Sequence, residues 1–189
     1  MSTILFTGGC RSGKSTLAQR WTEQASSSRV YVATARHRQV GEWEGTTCSD
    51  DEMMKRITRH RRLRGDGWCT VEADEVCPDG PLDAVKALQL AVSRAEAVLF
   101  DCVTLWLSEW ICSDVDDDSI LLQAETLANW LRSSSNPVAL VTNEVGWGLV
   151  PSTPLGRRFR DLSGLVNQRL AASCDSVRLV VCGLPLILK

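Results

Sequence analysis

The most informative run in this 189-residue chain is Gly8-Gly9-Cys10-Arg11-Ser12-Gly13-Lys14-Ser15. It matches the full pattern G-x-x-x-x-G-K-[S/T] of a phosphate-binding loop. An apolar β-type run precedes it at 3–7, and a helical pattern follows it at 15–25. A surface loop could match by chance, but the strand before it and the helix after it are the context that a phosphate-binding loop requires. The run therefore predicts that the chain binds a nucleoside triphosphate through residues 8–15.

Each residue type in this loop has a physical reason. Glycine allows positive φ angles and leaves space for phosphate oxygens, so that backbone N–H groups can converge on them. The N-terminus of the following helix adds the positive end of its dipole. We expect Lys14 to reach the β- and γ-phosphates as a catalytic group, and the Ser15 hydroxyl to bind Mg²⁺.

Beyond the loop, short β-rich runs alternate with helical patterns. This alternation is typical of an α/β fold of the P-loop NTPase type, a mostly parallel sheet with helices on both faces. The predicted strands are 3–7, 29–33, 69–72, 97–101, 138–142 and 177–182, of which 69–72 is the weakest and suits an edge. The predicted helices are 15–25, 50–63, 82–95, 119–132 and 155–172, with a loop at 36–49 and an acidic turn at 114–118.

Composition limits the possible functions. A length of 189 residues with 44% hydrophobic residues suits one domain spanning 1–189. The net charge of −2 gives no footprint for nucleic acid, and no apolar run is long enough to span a membrane. The eight cysteines contain no C-x-x-C pair, which favours a reducing, cytoplasmic compartment.

A candidate metal ligand lies at the end of the apolar strand 97–101. Asp101 closes this strand, where a second carboxylate would meet the Mg²⁺ bound by a phosphate loop. An aspartate that only caps the turn is the alternative. The presence of the loop favours the metal role.

The chain has two histidines, and their surroundings differ. His37 lies in the polar loop and is expected at the surface. His60 shares one face of its predicted helix with Met53, Ile57 and Arg64. A histidine on such a face is more often a core residue than a catalyst, but the arginines beside His60 could hold a triphosphate. The residues alone leave both interpretations open.

The segment 143–148 follows another buried strand, at the edge where α/β sheets place their ligands. Glycines at 146 and 148 would let the backbone approach a ligand closely. An ordinary strand-to-helix turn explains the segment equally well.

Taken together, the motifs resemble the bifunctional adenosylcobinamide kinase / adenosylcobinamide-phosphate guanylyltransferase family of cobalamin biosynthesis. The most specific are the stretch that contains His60 and the run Thr-Asn-Glu-Val-Gly at 142–146. The matching segments run through the chain in order, at 7–16, 31–34, 51–53, 56–68, 101–107, 142–146, 150–151, 156–161, 164–168 and 183–189.

The resemblance implies two activities. One is phosphorylation of adenosylcobinamide by ATP or GTP. The other is transfer of GMP from GTP to adenosylcobinamide phosphate through a guanylylated histidine, which maps onto His60. By the same resemblance Arg64 and Glu72 would contact the guanine nucleotide, Thr34 would line the site, and the chain would form a homo-oligomer, with a trimer as the expected form.

Three departures from the family pattern stand out. The stretch between Thr34 and Asp51 is longer than expected, Glu109 stands where an Asn is usual, and Cys10 replaces a small residue. A small-molecule kinase without guanylyl transfer and a non-catalytic nucleotide-binding module are the alternative functions. The retained Lys14, Ser15 and Asp101 disfavour the second.

Overall fold

The computed structural model describes residues 2–36, Thr58 and residues 64–189. Its strands are β1 (Thr3–Gly8), β2 (Arg29–Ala33), β3 (Trp68–Glu72), β4 (Ala97–Asp101), β5 (Val138–Val141), β6 (Ser176–Val181) and β7 (Leu184–Ile187). Its helices are α1 (Lys14–Ala25), α2 (Ala73–Val76), α3 (Ala84–Arg94), α4 (Val103–Cys112), α5 (Asp117–Ser133) and α6 (Pro154–Ser173). Almost all of the predicted helix at 50–63, and the loop beyond Arg36, lie outside the described residues.

The seven strands form one sheet in the order β3-β2-β4-β5-β1-β6-β7. The first six strands of the chain pair in parallel, and β7 pairs antiparallel with β6. β3 lies at one edge, as predicted. The predicted α/β class with a mostly parallel sheet is confirmed.

Alternating residues of the central strands point to opposite faces of the sheet. Ile4 and Phe6 pack in one apolar cluster with Ala18 of α1, whereas Leu5 belongs to a larger cluster with residues of α3, α4, α5 and α6. Both faces are therefore covered, which explains why the strands read as continuous apolar runs.

Local caps fix where three helices begin. The Asp83 carboxylate accepts hydrogen bonds from the N–H groups of Val85 and Lys86 at the start of α3. Asp116 caps α5 and Thr153 caps α6 in the same way. The predicted acidic turn at 114–118 thus contains the cap and the first two residues of α5.

Helix α4 and strand β7 were not predicted. The apolar residues of α4 do follow a helical period, with Val103, Trp106, Leu107 and Ile111 buried on one face, so the helix could have been found. Strand β7 has only four residues, all exposed, and includes a proline, so its sequence gives a weak strand signal.

A buried ion pair closes the end of the first described stretch. The Arg36 guanidinium pairs with Glu109 of α4, and these side chains are only 6% and 8% exposed. Arg36 also donates to Asp74 at 2.7 Å. The second Glu109 oxygen accepts from the N–H of Leu82 at 3.2 Å. Glu109, a departure from the family pattern, therefore joins three separate segments.

Three tryptophans pack in or against the larger apolar cluster. Trp106 is 1% exposed, and Trp110 and Trp130 pack partly buried against the same cluster. The indole N–H groups of Trp106 and Trp110 both donate to the carbonyl of Leu82. Among the helices of the described ranges, none has the length and apolar character needed to cross a membrane.

Candidate nucleotide-binding site

The glycine loop joins β1 to α1 in the geometry that its sequence predicts. Gly8 has φ +150°, and Gly13 at the N-cap of α1 has φ +97°, values that L side chains rarely adopt. Arg11 also has a positive φ, of 56°. The loop is closed by a hydrogen bond from the N–H of Ser12 to the carbonyl of Gly9. The backbone at 8–13 therefore turns sharply before the helix begins.

This loop packs against the turn between β6 and β7. The N–H of Gly183 donates to the carbonyl of Ser12 at 2.8 Å. A Cβ on Gly13 would lie 3.2 Å from the Gly183 Cα, and a Cβ on Gly8 would lie 2.4 Å from the Val180 oxygen. The C-terminal hairpin thus supports the loop from behind, a contact that sequence analysis did not predict.

Lys14 lies in the loop with only 7% of its surface exposed. Its ammonium group donates to the carbonyl of Gly9 at 2.9 Å. Burial lowers the pKa of Lys14, and the nearby Cys102 and Asp101 offset only part of this effect. A phosphate would compete with the Gly9 carbonyl for the same ammonium group and would favour its charged form.

Asp101 ends β4 beside this lysine, and its carboxylate has Tyr31 as a neighbour. The Tyr31 pKa is raised well above its usual value, first by burial and then by the negative charge of Asp101, to which the phenol donates a hydrogen bond. Burial and the same charge raise the pKa of Cys102 to about 12. Both groups are therefore neutral at physiological pH.

A cavity of about 420 Å³ brings these residues together. It is lined by loop residues and by the carboxyl ends of three strands. The lining residues are Cys10, Arg11, Ser12, Gly13, Lys14, Ser15, Thr16, Gln19, Tyr31, Arg64, Leu99, Asp101, Cys102, Val141 and Asn143. Gly8 and Gly9 form the loop behind this lining. Lys14, Ser15 and Asp101, far apart in the sequence, thus share one cavity.

Arg64 reaches the cavity from outside the loop. Its guanidinium carbon lies 3.7 Å from the centre of the Tyr31 ring, and the residue is 9% exposed. A stacked arginine keeps its charge and presents fixed donors, which suits contact with an anionic ligand. Arg64 therefore lines the same cavity as Lys14, and its contact with the guanine nucleotide stays a prediction.

Two other candidate residues do not line the cavity. Thr34 is 2% exposed, and its hydroxyl donates to the carbonyl of Cys102 and accepts from the Cys102 N–H. It therefore holds the end of β4, which carries Asp101. Glu72 ends β3, two strands away from β4. His60 and His37 lie outside the described residues, so the role of His60 stays a prediction.

Tyr31 was not predicted as a lining residue, and Asn143 was not distinguished from the glycines that follow it. Tyr31 reads as an apolar strand residue, with no signal for its role. Asn143 lines the cavity. A Cβ added at Gly146 or Gly148 would meet no atom within 4 Å, and neither residue has a positive φ. The described backbone therefore does not require glycine at either position.

The fold and the cavity define a P-loop protein that binds nucleoside triphosphates. Two solved structures share the fold. The flagellar accessory protein FlaH from Methanocaldococcus jannaschii is 17% identical, with a TM-score of 0.50 over 100% of this chain and 78% of the other. An ATPase from the type III secretion system of pathogenic bacteria is 14% identical, with a TM-score of 0.53 over 94% and 50%.

Relatives in sequence define the class of this protein more narrowly than the two solved structures do. Residues 4–188 match the model of the CobU family, described as cobinamide kinase / cobinamide phosphate guanyltransferase, and the chain belongs to this family. The bifunctional adenosylcobalamin biosynthesis protein CobP of Pseudomonas aeruginosa is 35% identical over 98% of this chain and 96% of its own length. The corresponding CobU proteins of Escherichia coli and Salmonella typhimurium are 36% and 35% identical, each over 98% of this chain and 99% of their own length. The chain is thus a transferase of cobalamin biosynthesis.

Proposed function

We propose that the one cavity serves two transfers, from ATP or GTP to adenosylcobinamide and from GTP to adenosylcobinamide phosphate. The observation that carries the proposal is the convergence of Lys14, Ser15 and Asp101 on a single cavity. Both reactions need negative charge stabilised on the same part of the nucleotide. A kinase leaves a nucleoside diphosphate and a guanylyltransferase leaves pyrophosphate, and the loop at 8–15 suits both leaving groups.

In the kinase reaction the corrinoid hydroxyl oxygen bonds to the γ-phosphorus. The bond between this phosphorus and the β–γ bridging oxygen breaks, the nucleoside diphosphate departs, and the hydroxyl proton is released to solvent. Such a transfer depends on positioning and charge stabilisation rather than on a protein nucleophile. Lys14 and the N–H groups of the loop supply both on the side of the leaving group.

In the guanylyl reaction a neutral imidazole nitrogen of His60 attacks the α-phosphorus of GTP. The bond to the α–β bridging oxygen breaks, pyrophosphate leaves, and a phosphoramidate remains on the histidine. A phosphate oxygen of adenosylcobinamide phosphate then attacks the same phosphorus, the P–N bond breaks, and adenosylcobinamide-GDP forms. Splitting the transfer in this way replaces one difficult displacement by two easier ones.

Mg²⁺ fits the donors present in this cavity. Ser15 and Asp101 both line it and supply oxygen ligands, which Mg²⁺ prefers together with water and phosphate oxygens. When bound, the ion would neutralise charge on the phosphates. Tyr31, which donates to Asp101, would orient this carboxylate.

Other residues of the site would select and orient the nucleotide. Arg64 would contact its anionic part from the Tyr31 side. Thr34 would act through Cys102 by fixing the end of β4. Glu72 remains a candidate for the guanine nucleotide, because glutamate can accept hydrogen bonds from base N–H groups.

A homo-oligomer, with a trimer as the expected form, is also part of the proposal. Strand β7 is an edge strand whose residues are all exposed, including Leu184 and Ile187 at 72% and 69%. An exposed apolar edge of this kind is what natural proteins usually cover. Six cysteines of the described residues are free, at positions 10, 69, 77, 102, 174 and 182, which supports a reducing compartment such as the cytoplasm.

Incubation with GTP labelled in the α-phosphate tests the guanylyl step. We expect acid-labile, base-stable label on the protein, released on addition of adenosylcobinamide phosphate. The variant His60→Ala should take up no label and keep much of the kinase activity, whereas His37→Ala should behave as the wild type. Label retained on the His60→Ala protein would refute the assignment of His60. Equal loss of both activities in a folded variant would indicate a structural histidine.

A further inference from the structure

Asn143 follows the end of the central strand β5. Strand β5 lies between β1, which leads into the phosphate loop, and β4, which ends at Asp101. Its last residue, Val141, is in register with Phe6 on one side and with Asp101 on the other. Asn143 follows two residues later and lines the same cavity as Lys14. It therefore lies at the carboxyl edge between the loop and the candidate metal ligand.

Side chains from two helices fix the backbone of Asn143. Its N–H donates to the Thr104 hydroxyl of α4 at 2.9 Å, and its carbonyl accepts from the Asn167 amide of α6 at 3.2 Å. Asn167 is itself 9% exposed and accepts a hydrogen bond from the Thr142 hydroxyl at 2.7 Å. Asn167 is thus held in turn, and together with Thr104 it gives the backbone of Asn143 a defined position.

The next residue, Glu144, is engaged on the β1 side. Its carboxylate accepts from the Thr7 hydroxyl at 3.0 Å, and its N–H donates to the carbonyl of Gly8. By contrast, the Asn143 side-chain amide makes no hydrogen bond within the ranges 2–36 and 64–189. A neutral donor group therefore faces a cavity whose other features suit phosphate.

We propose that the Asn143 amide donates a hydrogen bond to the terminal phosphate of the bound triphosphate. The inference rests on the proposed function and adds a residue to it. If the loop at 8–15 holds the phosphates, the terminal phosphate would lie near the carboxyl edge of the sheet between β1 and β4, where β5 ends. A neutral donor there distinguishes a triphosphate from a diphosphate without adding charge, and it stabilises the transferred group. Thr104 and Asn167 are positioning residues for this contact.

The test compares the affinities for a triphosphate and a diphosphate. Titration calorimetry with the α,β-methylene analogues of GTP and GDP in Mg²⁺ avoids guanylyl transfer, because the α–β bond cannot be cleaved. In Asn143→Ala we expect the ratio of triphosphate affinity to diphosphate affinity to fall by about tenfold, because a hydrogen bond to a charged group is lost. The affinity for the diphosphate should not change. The kinase kcat should fall by about 10²-fold.

Two further variants make the result interpretable. Asn143→Asp keeps the shape and replaces the donor by a charge, so it should weaken triphosphate binding more than alanine does. Asn136→Ala makes the same truncation near the opposite end of β5, where the amide donates to the carbonyl of Glu96, and it should behave as the wild type.

The outcomes separate the two proposals. A wild-type protein that binds neither analogue would overturn the proposed function and this inference together. An Asn143→Ala protein with the wild-type preference and the wild-type kinase rate would overturn the inference alone. Equal weakening of both analogues by Asn143→Ala and Asn143→Asp would also overturn it, because the amide would then act on the whole loop.

Discussion

Gly8 and Val180 approach so closely that a Cβ on Gly8 would lie 2.4 Å from the Val180 carbonyl oxygen. The neighbouring atom belongs to the backbone of β6, so moving it away would disturb the strand. The Gly8 φ of +150° adds a second obstacle to any L side chain. Glycine at this position is thus required by the docking of the loop on the C-terminal strands, in addition to the space that phosphate needs.

We therefore predict that Gly8→Ala displaces the loop. The free energy of unfolding should fall by about 1–3 kcal/mol, and nucleotide affinity should be lost. Gly164→Ala is the matched control, because a Cβ added to this helical glycine of α6 would meet no atom within 4 Å. The control should gain about 0.5–1 kcal/mol, measured by denaturant unfolding. A Gly8→Ala protein with wild-type stability and affinity would refute the contact.

The pH dependence of nucleotide binding should reflect the loss of the positive charge of Lys14. Its pKa is lowered by burial from the ordinary 10.5, so the free enzyme loses this positive charge at a lower pH than an exposed lysine would. Because the charged form contacts phosphate, affinity should fall as pH rises through the lowered pKa. We expect binding of a GTP analogue between pH about 7 and about 10 to weaken in the wild type but much less in Lys14→Arg, since arginine stays charged. The same slope in both proteins would show that another group titrates.

Bound nucleotide should shield Cys10 from alkylation. Cys10 is exposed and lines the cavity, whereas Cys69 is exposed on the edge strand β3. Saturating Mg·GTP should slow alkylation of Cys10 and leave that of Cys69 unchanged, as measured by peptide mass spectrometry. Equal rates at Cys10 with and without nucleotide would place the nucleotide elsewhere.

Glu109 should matter for stability more than a surface acid does. Removing its carboxylate leaves the Arg36 guanidinium buried without this partner, so Glu109→Ala should cost about 3–5 kcal/mol of unfolding free energy. Glu125→Ala is the control, because Glu125 and its partner Arg132 are 44% and 46% exposed. Its cost should be about 0–1 kcal/mol. Similar costs for the two variants would contradict the structural importance of the buried pair.

The sequence predicted the parts of the site that depend on local chemistry. The loop needs glycine at fixed positions beside Lys14, and Asp101 ends an apolar strand, so both signals lie within a few residues. The order of strands brings them together, because parallel strands end at the same edge of the sheet.

The missed features depend on contacts between distant residues. Gly183 supports the loop from 170 positions after Gly13, and nothing in its neighbourhood indicates this. The resemblance implied that Thr34 lines the site, whereas its hydroxyl is used by the backbone of Cys102. Tyr31 reads as an ordinary strand residue until Arg64 and Asp101 are placed beside it.

The measurement that tests the central claim most directly is the pair of activities in Lys14→Ala. If one loop stabilises the leaving group in both transfers, kinase and guanylyltransferase rates should each fall by at least about 10²-fold, the loss expected for a key electrostatic contact. Lys86→Ala, which removes a lysine whose side chain is 69% exposed on α3, should leave both rates unchanged. A folded Lys14→Ala protein that kept either activity near the wild-type rate would contradict the account.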